Sequence, residues 1–581
     1  MSDFENKDER DGLACKLWRG ERMTMIGFDV TEPEDDLVGF SIEVKSPNSN
    51  EFFALRNRIA FAYDTTAVTA VDGDRKFDSR KAPFQKFRWV HFPYQPVDGR
   101  YVYRVTKQHM PHDGEPIAGT SLDVDIDHRA TTIAGLVDIG FTRNFASSQA
   151  YKEQFGNNPG IIPGEGHNGL NFQKLNLKNQ AGQSVYEWLG FEAYDHIFGF
   201  LNETFADPGL TLDAMAYDLN EPDVVARLER FGNRLRVIVD DSVTSKDGVK
   251  EGHGVKNSPE SISAKRFGAA NAQVKRTHFQ NLQHNKIFIT RRSGVPEKVL
   301  CGSTNFTFRG IYIQANNVLV FHSADVAGLF GKMFDLAFTN PADFKKNDFA
   351  KTWHAISTPG KPVVKVCFSP HVNSDLSLNP IRGAVDQATS SVLYSVAFLG
   401  QMTSGPSKEA FDRLIQRPVF SYGTVDQRLS LELLKPDGTR GLVDFKYLAS
   451  KAPQPFAGEW SGGKGRNVHH KFVVTDFSLP TAKVFSGSSN FSPSGESKNG
   501  DHLIVMEDRK VATAYAIEAV RVFDHLHFRN RMNETFNKKK GKNPEPITLR
   551  KPTAISGKPT WFGKYYGSEG QAFRDRKLFS T

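Results

Sequence analysis

The 581-residue sequence predicts an α/β protein in which two related α/β lobes follow an N-terminal β-sandwich. Three observations carry that expectation. Short β-rich runs fill the chain to about residue 135, strands then alternate with amphipathic helices, and the second half repeats the order of the first.

The sandwich is expected over residues 20–137, behind an N-terminal extension over 1–19. Runs such as LVGFSIEVKS, FRWVHFP, RYVYRVT and SLDVDID are rich in Val, Ile, Phe, Tyr and Trp and are separated by Gly, Pro, Asn and Asp. Asp123, Asp125 and Asp127 recur every second residue, which reads as the solvated face of a strand. No cysteine accompanies them to sharpen a metal site.

The first lobe is expected over 138–356, where LTLDAMAYDL, EPDVVARLERFG and NRLRVIVDDS follow strand–helix–strand logic. The second, over 366–530, repeats that order with SSVLYSVAFL, SKEAFDRLIQR and PVFSYGTVDQ; STPGKPVVK, residues 357–365, reads as the linker. Residues 531–581 read as a C-terminal extension. It holds the Lys-rich NKKKGKN, expected as a solvated loop, and WFGKYYG. In the latter, Trp561, Phe562, Tyr565 and Tyr566 surround Lys564 and suit a membrane interface, base stacking or a core.

Composition narrows the class. An apolar share of 39% allows several buried cores, and 74 basic against 66 acidic residues leave a net charge of +8. That mild excess favours a phosphate-bearing partner without separating nucleic acid from anionic lipid. Cys15, Cys301 and Cys367 are odd in number and far apart, unlike a disulfide framework. Residues 1–12 lack the apolar stretch of a secretory signal, and no run of about 18 apolar residues occurs. A cytoplasmic location is the expectation, with export by a signal-independent route left open.

The chemistry lies in a repeat. HNKIFIT followed by CGSTNFT, and HHKFVVT followed by SGSSNFS, align at a constant offset of 185 residues, and 12 of the 37 positions from His284 to Val320 are identical in the two copies. Duplication is the economical explanation. In each copy one residue separates histidine from lysine within a β-rich run. The strand period therefore puts His284 with Lys286, and His469 with Lys471, on one face. Glycine then permits a tight turn, and Ser303, Asn305, Ser488 and Asn490 offer polar groups suited to phosphoryl oxygens or to the lysines. A single His-x-Lys is usually an ordinary strand edge; both motifs, twice, in register, are not.

The sequence resembles the phospholipase D superfamily, whose members carry two His-x-Lys motifs, each followed by Gly-Ser-x-Asn. The resemblance covers roughly residues 140–530. It implies two lobes about a pseudo-twofold axis, both motifs facing one cleft, a phosphohistidine intermediate, and no metal or other cofactor. The family usually has Asp seven residues after the motif histidine; the second copy keeps Asp476 and the first has Arg291. Thirty-two residues after each histidine, where the family places a carboxylate that orients the imidazole, stand Asn316 and Asp501.

If each of these reaches its own lobe's histidine, Asp501 favours a charged His469 as general acid and Asn316 leaves His284 neutral as nucleophile. The glycine-rich PFAGEWSGGKGRNVHHK, with Lys464, reads either as a lip over the cleft or as a simple loop. The favoured substrate is a phospholipid headgroup diester at a membrane surface, with transfer to alcohols as a possible companion of hydrolysis, because the net charge is modest and the tail aromatic. Nucleic-acid cleavage is the alternative, and a further one makes the sandwich the main recognition module.

Overall fold

A computed structural model of the chain describes residues 3–62, 77–144, 148–156, 158–164, 166–429, 431–445, 465–538 and 548–581, without the side chains of 149, 246, 529 and 531–538. Lys464 and most of its glycine-rich segment, and residues 539–543 of NKKKGKN, lie outside the described residues.

The N-terminal sandwich is two antiparallel sheets. One orders the strands Glu5–Arg10, Leu13–Arg19, Thr24–Val30 and Arg88–His91; the other orders Ile117–His128, Gly99–His109, Leu37–Lys45 and Phe53–Ala54. Alternate residues Leu13, Cys15, Leu17, Ile26, Phe28, Phe40, Ile42, Tyr103 and Val105 fill the space between them. The first sheet thus begins inside the stretch expected as an extension, because the period-two apolar residues of Leu13–Arg19 form part of this core. Asp123 and Asp125 lie on the outer strand and pair with Arg104 and Arg100, both at 2.8 Å, in keeping with a solvated face.

The C-terminal tail is not a surface extension either. Trp561, Phe562 and Tyr565 are buried in the sandwich core, and Trp561 stacks on Phe87 while its Nε1 donates to the Leu37 carbonyl at 2.9 Å. The helix Gln571–Ser580 lies across Thr24–Val30 so closely that a Cβ on Gly27 would stand 2.0 Å from the Phe579 carbonyl oxygen. Arg88 binds Asp575 in this helix at 2.6 Å and Asp524 of the helix Arg509–Lys538, tying sandwich, tail and second lobe together.

The two lobes are copies of one topology. The first sheet runs Thr132–Ile133, Val137–Phe141, Asn317–Phe321, Val295–Gly302, Lys286–Arg292, Leu210–Ala216, Leu235–Val239, Gln273–Arg276. The second runs His354–Ile356, Val363–Phe368, His502–Glu507, Lys483–Gly487, Lys471–Thr475, Ser391–Val396, Phe420–Val425, Leu442–Asp444. Ranked by chain order both read 1-2-8-7-6-3-4-5, with strands 3, 4 and 5 parallel and strand 6 antiparallel to strand 3. Strands 3 and 4 of each sheet are joined through the helices Pro222–Arg230 and Pro406–Leu414, the crossover connection that parallel neighbours need.

Residues from both sheets meet in one shared core. Ile287, Ile289, Val299 and Leu319 of the first lobe pack in the same cluster as Phe472, Val474, Val484 and Ile504 of the second. The linker occupies the turn between His354–Ile356 and Val363–Phe368, its last three residues already in the strand.

Arg291 and Asp476, the unequal motif positions, both serve strand packing. Asp476 accepts backbone N–H groups of Thr389, Ser390 and Ser391, fixing the start of Ser391–Val396. Arg291 instead binds the buried Asp213 at 2.5 Å and Asp335 at 3.1 Å, so the first lobe replaces a capping carboxylate with an ion-pair network.

Candidate active site

The histidine-bearing segments dock against the opposite lobe before any side chain is considered. His284 N donates to the Gly500 carbonyl at 2.9 Å, and His469 N donates to the Ala315 carbonyl at 3.1 Å. These reciprocal bonds set Asp501 and Asn316, each one residue further on, beside the histidine of the other lobe. His284 Nδ1 lies 2.7 Å from Asp501 Oδ1, and His469 Nδ1 lies 2.9 Å from Asn316 Oδ1. The expectation that each acceptor reaches its own lobe's histidine is thereby corrected: the segment entering one lobe's Lys286–Arg292 or Lys471–Thr475 strand meets the segment entering the last sheet strand of its twin, and sequence spacing within one copy does not register that crossing.

The amide of Asn316 is oriented by its other bonds. Its Nδ2 donates to the Gly310 carbonyl at 2.9 Å, while Oδ1 accepts from Ser303 Oγ at 2.9 Å, leaving Oδ1 to accept from His469 Nδ1–H. Ser488 Oγ likewise donates to Asp501 Oδ1 at 2.6 Å. The motif serines, expected on phosphoryl oxygens or on the lysines, thus hold the groups that hold the imidazoles. The motif glycines make this possible: Gly302 and Gly487 have φ of +138° and +147°, and a Cβ would come within 2.5 Å of the Asn317 carbonyl oxygen or 2.3 Å of that of His502. Asn305 Nδ2 donates to Asp218, and Asn490 Oδ1 is buried without a hydrogen-bond partner among the described residues.

Both lysines fold back over their own histidine. Lys286 Nζ donates to the His284 carbonyl, and Lys471 Nζ donates to that of His469 at 2.8 Å while lying 3.2 Å from the His469 Nε2. All four side chains are nearly buried, His284 at 4% and His469 at 5% exposure. Burial lowers His284, opposed by the charge of Asp501, and takes His469 well below its ordinary value, with repulsion from Lys471 and Lys286 adding to it. Lys286 is brought down to about 8 by burial despite nearby carboxylates, and Lys471 falls well below its ordinary value through burial and repulsion from Lys286. A dianionic or anionic oxygen cluster placed among these groups would relieve that repulsion.

Several neighbours carried no signal in the linear sequence. Tyr217 sits edge-on to His284 at 4.7 Å and to His253 at 4.6 Å. His253 bridges Asp218 through Nε2 and Asp240 through Nδ1, both at 2.8 Å. Burial alone would depress it, but hydrogen bonds to both carboxylates lift it to about 10. On the second-lobe side Arg466 stacks on Phe398 at 4.2 Å, and Phe398 lies edge-on to His469.

One pair was legible in principle: Asp240 and Asp426 end corresponding strands of the two copies. Asp240 accepts the Gln283 N–H at 2.6 Å, and Asp426 accepts those of Asn467 at 2.9 Å and Val468 at 3.2 Å. Each thus fixes the segment entering a His-x-Lys motif.

No family model and no curated protein sequence matches the chain. Among solved structures it is similar to a phosphatidylserine synthase of Haemophilus influenzae Rd KW20 (10% identity, 58% of this chain and 90% of that one, TM-score 0.39). It is also similar to a polyphosphate kinase of Porphyromonas gingivalis (11% identity, 62% and 52%, TM-score 0.38) and to yeast tyrosyl-DNA phosphodiesterase (11% identity, 54% and 88%, TM-score 0.28). The match spans about half of the kinase chain. No described helix is long and apolar enough to cross a membrane.

Proposed function

We propose that this chain is a phospholipase D-type phosphodiesterase acting through a phosphohistidine. The observation that carries the reading is the reciprocal pinning of two imidazoles by Nδ1, each histidine's carbonyl holding the lysine two residues on. A histidine whose Nδ1–H is held by an acceptor presents an unprotonated or protonated Nε2 in a fixed direction, which nucleophilic attack and proton donation each need.

His284 is proposed as the nucleophile. The crossed pairing gives His284 a carboxylate partner in place of the neutral amide that the spacing suggests. The nucleophile must begin neutral, and burial favours that form. Its ring becomes cationic as Nε2 bonds to phosphorus, and Asp501 stabilises that cation, as the buried carboxylate does for the imidazolium of a serine protease triad.

His469, whose Nδ1 meets a neutral amide in place of a carboxylate and whose ring lies against the Lys471 ammonium, is the weaker base and releases its Nε2 proton to the departing oxygen more readily. The phosphodiester anion favours the protonated form of His469 on binding. Water then attacks phosphorus, His469 recovers a proton, and the P–N bond breaks to restore His284. Lys286 and Lys471 neutralise the non-bridging oxygens throughout.

A phospholipid diester remains the proposed substrate, now on the modest net charge alone, since the aromatic tail lies in the sandwich core. The mechanism is tested by quenching turnover in alkali and mapping the adduct by mass spectrometry. The phosphoryl group is expected on His284, and finding it on His469 in an active enzyme reverses the two roles.

A further inference from the structure

Beside the two histidine–lysine pairs lies a second cluster for which phosphoryl transfer has no use. Asp218 follows the strand Leu210–Ala216, His253 follows the strand Val249–Gly252, and Glu260 sits in the first turn of the helix Pro259–Ala269. Their ligand atoms all fall within 4.8 Å of one another. Glu260, whose carboxylate belongs to the cluster, is 3% exposed; its Oε1 accepts the Leu219 N–H at 3.0 Å, but Oε2 is buried and has no hydrogen-bond partner among the described residues. A buried carboxylate oxygen without a donor is costly, and a cation is one way to satisfy it.

The surroundings of His253 fit a ligand role. Its Nδ1 lies 2.8 Å from Asp240 Oδ2, the carboxylate-to-imidazole contact that aims the opposite nitrogen of a metal-bound histidine. Asp240 is itself fixed, accepting from Ser242 N at 3.0 Å and from Gln283 N at 2.6 Å. The ring's Nε2 consequently faces Asp218 Oδ1 and the cluster. The side chain of Asp218 is about a third exposed, which leaves a route in from solvent.

We infer that Asp218 Oδ1, His253 Nε2 and Glu260 Oε2 bind one divalent transition-metal cation, with water completing its coordination. One nitrogen and two carboxylate oxygens suit Zn²⁺ or Mn²⁺ better than Ca²⁺, which prefers more oxygen ligands. The cation would take the place of the hydrogen between Nε2 and Asp218. It lies off the reaction path, separated from His284 by the Tyr217 ring, which contacts both histidines. It is nevertheless wired to both motifs: the other oxygen of Asp218 holds Asn305, and Asp240 holds the N–H of the residue preceding His284. The site is thus a brace for the first-lobe half of the cleft, and its existence does not depend on which diester the enzyme cleaves.

The test is calorimetric titration of chelator-treated full-length protein with Zn²⁺, alongside Co²⁺ absorption spectra. One equivalent is expected to bind wild-type protein, with a visible Co²⁺ ligand-field band. Glu260→Gln keeps the Oε1 acceptor for Leu219, and His253→Gln removes the nitrogen ligand. Each should weaken Zn²⁺ at least about tenfold and reduce the band, since ligand loss should exceed the smallest effect of disturbing an outer-shell partner. His284→Ala and His469→Ala should still bind one equivalent. The proposal is overturned if wild-type protein shows no stoichiometric binding, if Glu260→Gln binds as wild type, or if binding disappears in His284→Ala or His469→Ala.

Discussion

Asp501 of the second lobe holds His284 of the first, Oδ1 to Nδ1 at 2.7 Å, while the neutral Asn316 of the first lobe holds His469 of the second. The asymmetry of the pair, and not the motifs alone, distinguishes the two histidines. It also gives a sign to the pH profile. Asp501 raises the pKa of His284, so Asp501→Asn should lower it and move the acidic limb of kcat/KM to lower pH, with kcat reduced by about a hundredfold or more. If His284 were the general acid, the alkaline limb would move instead.

Because each lobe supplies one imidazole and one ammonium group, neither lobe should act alone. Single replacement of His284, Lys286, His469 or Lys471 by Ala is expected to reduce turnover at least about a hundredfold. Chelator-treated enzyme should retain its chemistry, since the two lysines neutralise the diester. Near-normal rates after losing either lobe's pair would reject a shared site; loss of turnover in chelator, restored by Mg²⁺ or Zn²⁺ in Glu260→Gln as in wild type, would put a metal in the reaction and not only in the brace.

Substrate class is best resolved by offering phosphatidylcholine and phosphatidylethanolamine vesicles, plasmid DNA and RNA in parallel, with a short alcohol in the lipid reactions. Headgroup release, with phosphatidyl alcohol as a second product, is the expected outcome. Nicking of nucleic acid well above any lipid turnover would favour the nuclease reading.

Behind the second motif, Glu518 clamps His470 at 3.0 Å and Arg521 at 2.7 Å, all three buried. Burial opposes its ionisation, but Arg521 and His470 bring its carboxyl down to about 2. Between that value and its ordinary 4.5 the unfolded chain binds more protons than the folded one. This carboxylate therefore contributes its full stabilisation above pH 4.5, and the contribution fades as the pH falls towards 2. Glu518→Gln should lower stability at pH 7 by roughly 3–5 kcal/mol, the range for an uncompensated buried charge. The gap from wild type, measured by denaturant unfolding, should narrow on acidification through that window; a gap independent of pH would contradict the assignment.

The tail makes a structural prediction. Trp561→Ala removes a side chain buried against Phe87 and should destabilise the sandwich by about 3–5 kcal/mol, read as an earlier unfolding transition. Loss of membrane binding with unchanged stability would return these aromatics to a surface role. For the same reason, deleting residues 1–135 would expose the tail's buried face, and point substitutions on the outer strands are the better probe of a recognition function.

The duplication was readable from sequence because a strand's period is local. His284 with Lys286, His469 with Lys471, and the glycine turns that follow are fixed by backbone geometry over a few residues, and their constant offset exposed two copies of one lobe. The solvated aspartates of Ile117–His128 were legible on the same ground. What the chain does with those copies was not. Which histidine Asp501 meets depends on Gly500 pairing with Gln283, a contact more than two hundred residues apart in the chain. The aromatic tail suits a membrane interface, base stacking or a core equally as a sequence, and only its contacts with Phe87 and Leu37 put it in the core. Asp218, His253 and Glu260 come from a strand end, a hairpin and a helix start, and share no spacing that a linear reading could detect. Local periodicity selects the elements and the reactive residue types. Packing of the two lobes decides their partners, because hydrogen bonds and charge act across space and not along the chain.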